Sequence, residues 1–194
     1  ATEPAVHRVV MALQLETEAN DPRYSTTIPS GIGMRPMHEN LIGHDGTTGA
    51  MIPGLATEWI LEAGPSYRFK LREGVQFHKG WGEFTAKDVV FTYETLIHPD
   101  AQHGETGFVR GAVEGLQVIN DYEVLVKAKK PNMDLLITFA SEQQQANLIM
   151  SKAQFEAAGK YPMAREEPLA GTGPYQFQSR SQGQYVRYER PPEK

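Results

Sequence analysis

Tyr67, Phe69 and Leu71 alternate with Arg68, Lys70 and Arg72, which puts apolar side chains on one face and cations on the other at the period of a strand. The alternation predicts a strand with one solvated face. Further on, Ala86, Val89, Val90, Tyr93 and Ile97 recur at helical spacing. Thr85 precedes them, Asp88 stands at the reciprocal capping position, and Pro99 lies just past the end, so a capped helix is predicted there. Leu116–Ile119 and Glu123–Ala128 flank Asn120-Asp121-Tyr122 as a hairpin would.

Elsewhere the pattern is shorter. The run Val6–Leu13 predicts a mostly buried strand that gives way to a polar turn over Glu16–Arg23. Met34, Met37, Leu41 and Ile42 predict a short helix near 33–41, followed by a loop over Gly43–Gly54 and a strand over Leu55–Leu61. Pro131 and Asn132 can start a helix through Asp134–Ala140, and Ala146–Met150 has the composition of a buried strand. Ser151 can cap a helix over Lys152–Ala158 that stops at Gly159. Tyr175–Ser179 and Gln184–Tyr188 predict a closing hairpin around Gly183. The element order is mixed, with no internal repeat and no steady strand–helix alternation.

Composition narrows the function classes. Hydrophobic residues at 40% and charged residues at 22% in 194 positions fit a globular chain and exclude disordered or collagen-like classes. The balance of 19 Lys and Arg against 24 Asp and Glu, with no basic cluster, leaves no electrostatic footprint for nucleic acid. The longest stretches free of charge, Gly46–Thr57 and Pro168–Ser179, fall short of the roughly 20 apolar residues of a membrane helix. The chain has no cysteine, so disulfides, thiolate metal sites and a Cys nucleophile are excluded.

Candidate chemistry is sparse. Gly171-Thr172-Gly173-Pro174 has too few glycines for a dinucleotide fingerprint and carries Pro174 where a helix would have to open, so it reads as a tight turn. His98, Asp100, His103 and Glu105 crowd one loop with donors suited to a metal and would support a metal-dependent hydrolase, yet Pro99 and Gly104 mark the loop as an exposed turn. Glu16 and Glu18 alternate on an extended segment and would face opposite sides. No serine lies in a G-x-S-x-G elbow. Met34 and Met37 fit core filling better than a ligand surface.

Four blocks taken in order are more specific than any one of them. They are Pro53-Gly54-Leu55-Ala56 with Trp59, the run Tyr67 to Gly80, Thr85-Ala86-Lys87-Asp88-Val89, and Gly171-Thr172-Gly173-Pro174-Tyr175. Together they resemble the extracytoplasmic solute-binding proteins of ABC importers that carry peptides, nickel and related ligands. One departure is local: Trp81-Gly82-Glu83-Phe84 is about one residue longer than the family pattern and lacks its usual proline.

The resemblance implies an α/β fold, a mixed sheet with flanking helices, forming part of the first lobe of a two-lobed binding protein. It extends from Asp21 to Tyr188 and corresponds to the N-terminal part of that lobe, so residues 1–194 are expected to be a single lobe or lobe fragment, with the second lobe absent. It implies binding and not catalysis, no cofactor, an exported periplasmic or extracytoplasmic chain, a peptide or other small-molecule ligand, and permease subunits in the membrane as partners. Nickel or oligosaccharide remain open as ligands. An alternative is an isolated lobe acting as a protein-interaction module or an inactive fragment. The first-lobe share of the cleft is expected from Glu16, Asp21, Tyr24, Met34, Phe108, Gln144 and Tyr175. Tyr24, Phe108 and Tyr175 stand out because an amphipathic ring covers apolar ligand surface while its polar tip orients it.

Overall fold

The strand predicted from the alternation at 67–72 forms over Ser66–Leu71 and lies inside a four-stranded antiparallel sheet. The computed structural model describes residues 8–12, 20–24, 33–62, 64–132, 134–140, 148–163, 166–181 and 183–191. In chain order the elements are a 3₁₀ turn at Pro22–Tyr24, β1 (Ile42–His44), β2 (Met51–Pro53), β3 (Ala56–Glu62), β4 (Ser66–Leu71), a 3₁₀ turn at His78–Gly80, α1 (Ala86–Ile97), α2 (Thr106–Ala112), β5 (Val113–Asn120), β6 (Glu123–Ala128), α3 (Asp134–Ala140), α4 (Lys152–Ala158), β7 (Gln176–Ser181) and β8 (Tyr185–Glu189). The large sheet runs β3-β4-β6-β5, while β1-β2 and β7-β8 are separate hairpins.

The two faces of the large sheet follow directly from the sequence period. Tyr67, Phe69 and Leu71 of β4 and Val124, Val126 and Ala128 of β6 are all buried. With Ala86, Val89, Tyr93 and Leu96 of α1 and Leu135, Leu136 and Phe139 of α3 they form one continuous core. Phe69 and Phe139 meet ring to ring at 5.2 Å. The opposite face carries cross-strand charge pairs: Lys70 reaches Glu58 at 2.7 Å, and Arg68 pairs with both Glu62 and Glu123. That face is solvated and its charges are largely matched.

The caps behave as their residues predict. The Asp88 carboxylate accepts from the Thr85 backbone N–H at 2.9 Å and from its hydroxyl at 3.1 Å, and its other oxygen accepts from the Lys152 N–H at the start of α4. One side chain therefore ties two helix N-termini together. Burial pushes this carboxyl above the usual carboxylate range, partly countered by those donors. Ser151 accepts from the Gln154 N–H, and Gly159 ends α4 in the left-handed conformation at φ 66°.

Four expectations need correction. Residues 8–12 form no strand, and Val9, Val10 and Met11 are exposed; among the described residues no strand pairs with them, and an apolar run cannot form a ladder without one. Of the helix expected near 33–41, Gly33 and Met34 are helical; 35–37 are a turn at Pro36, and the chain then straightens into β1. The loop expected over 43–54 is a small hairpin whose turn is tied by Asp45, which accepts from the Thr47 and Thr48 N–H groups and the Thr48 hydroxyl. Leu148–Met150 is buried but is not a strand; its backbone bonds instead to Glu39 and to the Thr92 hydroxyl. Helix α2 had no sequence prediction at all.

Candidate functional site

Two close backbone crossings organise the region where the sequence placed its binding residues. A Cβ on Gly171 would stand 1.9 Å from the Met37 carbonyl oxygen, and one on Gly173 would stand 2.8 Å from the Pro36 oxygen. The Gly-Thr-Gly-Pro segment is thus a place where two strands of chain touch, which explains its glycines better than the tight turn expected of it. Gly173 donates its N–H to the Met37 oxygen, and Tyr175 donates to the Pro36 oxygen, both at 3.0 Å. Tyr175 and Met34 are brought into one neighbourhood by this ladder: Tyr175 is exposed, Met34 half-buried, and the Met37 N–H returns to the Met34 oxygen.

A second neighbourhood surrounds the first 3₁₀ turn. Asp21 and Tyr24 belong to it, and the Arg23 oxygen accepts from the Gln102 N–H at 2.8 Å, which brings in the loop leading to α2 and its exposed Phe108. The Asp21 carboxylate is held by Arg23, with Nε to Oδ1 at 2.9 Å and Nη2 to Oδ2 at 2.5 Å. This bond is the main reason that the Arg23 guanidinium keeps its proton more firmly than usual. Asp21 therefore acts inside the fold, with both oxygens already engaged, and not as a free anionic hook.

The hairpin β7–β8 pins both neighbourhoods. Arg180 on β7 donates to Asn20 Oδ1 at 2.7 Å, and the Tyr188 hydroxyl on β8 donates to the Gly33 oxygen. Asn20 in turn donates to the Met163 and Glu166 oxygens. Glu16 and Gln144, also expected at the site, lie outside the described residues. Asn20, Arg23, Tyr161 and Arg180 were missed: their roles depend on partners up to 160 positions away, which no local spacing signals.

Three histidines near these segments are shifted toward the neutral form. His38 is buried, donates from Nδ1 to the Ile149 oxygen at 2.9 Å, and is pushed down to about 4 by burial. His103 is likewise pushed down to about 4 by burial, and its Nδ1 accepts from the Glu105 N–H. His78 is lowered for the same reason. Among the described residues no three His, Asp or Glu side chains gather as metal ligands: His98 stands 3.7 Å from exposed Asp100, while His103 is turned inward. The loop expected as a metal candidate is a structural turn.

Residues 50–193 match the sequence pattern of Bacterial extracellular solute-binding proteins, family 5 Middle. The chain belongs to this family. Among family 5 relatives, the oligopeptide-binding protein AppA of Bacillus subtilis is 34% identical over 137 residues, covering 66% of this chain and 23% of AppA. Di/tripeptide-binding protein 2 of Pseudomonas aeruginosa is 28% identical over 193 residues, covering 91% of this chain and 36% of the relative. The fold matches the periplasmic binding protein DppA from Helicobacter pylori, solved in complex with the peptide STSA, with a TM-score of 0.74 at 23% identity, over 90% of this chain and 37% of DppA. The chain thus spans roughly a third of the length of the proteins it matches. The mixed α/β lobe fragment expected from the sequence is the architecture found. No helix among the described residues is long and apolar enough to cross a membrane.

Proposed function

We propose that this chain supplies one wall of the ligand cleft in an extracytoplasmic peptide-binding component of an ABC importer, which captures its ligand outside the cytoplasmic membrane for delivery to the permease. The observation that carries the reading is the family match over residues 50–193 together with relatives whose names specify oligopeptide and di/tripeptide binding. Capture, and not catalysis, is the activity this implies. The wall comprises Tyr24 and Phe108, with Asp21 behind them in its pair with Arg23, on one side and Met34 and Tyr175 on the other. Exposed rings there cover apolar ligand surface.

In a two-lobed binding protein, ligand stabilises the closed arrangement because only that arrangement contacts it from both sides. Residues 1–194 act as a single lobe or part of one, and one wall cannot clamp. The 194-residue chain is therefore expected to bind dipeptides only weakly. Saturation-transfer NMR with dipeptides, paired with calorimetry, tests this. Transfer at millimolar peptide without a calorimetric isotherm supports the reading. An affinity in the low micromolar range or tighter overturns the single-wall part, and transfer to an oligosaccharide probe but to no peptide overturns the ligand class.

A further inference from the structure

A column of packed rings and a guanidinium runs from the core to the surface at the first 3₁₀ turn. Phe91 and Phe155 pack against Tyr161, with ring centroids 6.4 Å and 4.6 Å from it. The Tyr161 hydroxyl is bonded to the Thr95 hydroxyl of α1 at 2.7 Å, which fixes the ring. The guanidinium carbon of Arg23 lies 4.2 Å from the Tyr161 centroid and 5.4 Å from that of Tyr24. Asp21 grips the same guanidinium with both carboxylate oxygens. Tyr24 ends the column, 40% exposed.

Resting on the peptide-binding reading, we propose that Tyr24 is a specificity-determining residue that receives an apolar or aromatic ligand side chain, and that Arg23 is the positioning residue that fixes its ring. The physical case has three steps. A planar guanidinium locked by a bidentate carboxylate has little freedom left, so a ring in cation–π contact with it is pre-oriented and loses little entropy when a ligand arrives. The Asp21–Arg23 pair is neutral overall, so the column offers no net charge to an anionic or cationic side chain. Each kind of charge also meets a specific opponent. A carboxylate faces the electron-rich ring and Asp21 behind it. An ammonium competes with Arg23, a cation that already draws on the same ring. An apolar or aromatic side chain meets neither opposition.

The test uses the 194-residue chain and saturation-transfer NMR with Ala-Phe, Ala-Leu, Ala-Glu and Ala-Lys. Ala-Phe and Ala-Leu are expected to receive about fivefold more transfer than Ala-Glu or Ala-Lys, the discrimination one ordinary aromatic contact provides. Tyr24→Ala should bring the ratio close to one, and Tyr24→Phe should keep it, since the ring and not the hydroxyl carries the effect. Arg23→Met should lower the ratio although Tyr24 is still present, and Arg23→Lys should not restore it because an ammonium lacks the planar fork. Tyr24 is an exposed position, so its variants keep the test decisive even where an Arg23 variant folds poorly. Peptides that bind with the same ratio in wild type and Tyr24→Ala, or a preference for Ala-Glu, overturn the proposal while leaving peptide binding intact. If no dipeptide receives transfer from the folded wild-type chain, the peptide-binding reading itself fails and this assignment fails with it.

Discussion

His78 donates its Nε2–H to the carbonyl oxygen of Gly173 at 2.8 Å, across 95 positions of sequence. The His78 backbone N–H donates to Gly171 at 3.0 Å, and Gly173 donates to Met37. Three distant segments, 36–38, 78 and 171–173, are fastened at this one place. The crossing sets where Met34 and Tyr175 stand, so the shape of one half of the candidate site depends on two glycines that touch no ligand in the proposed reading.

Gly171→Ala is accordingly expected to be severely destabilising. Its Cβ would meet the Met37 oxygen at 1.9 Å and His38 Nδ1 at 2.5 Å, and neither backbone nor a fully enclosed ring can step aside. A cost of more than about 3 kcal/mol follows from overpacking that the site cannot relax. Gly111, exposed inside α2, is the opposite case, since a Cβ added there would meet nothing within 4 Å. Gly111→Ala should stabilise by about 0.5–1 kcal/mol through helix propensity. Urea titration of both variants checks the pair. Equal and small effects would show that the crossing is not rigid.

Asp88→Asn removes a buried charge, yet it should destabilise the fold. The carboxylate accepts on one oxygen from Thr85 and on the other from the Lys152 N–H. An asparagine has one acceptor oxygen, so its NH₂ must face one of these donors. Leaving a buried donor unmatched costs about 1–3 kcal/mol. The denaturant midpoint should fall with the slope unchanged. A midpoint equal to or above that of the wild type would mean that the desolvation cost of the carboxylate outweighs its two caps.

Local patterns in the chain announced those parts of the fold whose partners are near in sequence. The alternation of β4 exposed its buried face, Thr85 and Asp88 announced α1, and Ser151 and Gly159 bounded α4, because strand period and capping act over a few residues. Patterns failed where distant chain decides. Gly43 and Met51 belong to a hairpin that looked like loop, and Leu148–Met150 is buried without being a strand. At the candidate site the sequence named Asp21 and Tyr24 but gave no sign of Arg23 between them, whose significance comes from Tyr161, 138 positions away. The family blocks were legible for the same reason that they say little about ligand: they are turns, caps and close approaches that build the scaffold.

The exposed run Val9-Val10-Met11 offers a contrast with the core. These side chains are 77%, 75% and 70% exposed, so they contribute little packing to the chain. Val10→Lys should change its stability by less than about 0.5 kcal/mol. Phe69→Ala, at a fully buried position against Phe139, should cost about 3–5 kcal/mol. Thermal unfolding of the two variants side by side measures the difference. A large loss in Val10→Lys would mean that this run packs somewhere in solution.

Acid should weaken the fold well before most carboxylates titrate. His38 and His103 are pushed down to about 4 by burial, from an ordinary value of 6.5. Between those limits the unfolded chain binds protons that the folded chain refuses, so stability rises with pH across the window. Their contribution is complete above about pH 6.5 and is lost as pH falls toward 4, at up to about 1.4 kcal/mol per pH unit for each histidine. Asp88 works in the opposite sense, because its raised carboxyl takes up a proton more readily in the fold and so offsets part of the loss on the acid side. Urea midpoints from pH 7.5 to 4.5 should therefore fall steadily. His103→Gln keeps an acceptor for the Glu105 N–H that now bonds to the imidazole, and should flatten that fall without abolishing it, since His38 and His78 keep their lowered values. Imidazole proton shifts provide an independent readout: the His38 and His103 resonances should stay at their neutral positions down to about pH 5, where exposed histidines have already moved. Resonances that titrate near 6.5, or midpoints that hold constant over the range, would mean that these two rings are open to water in solution.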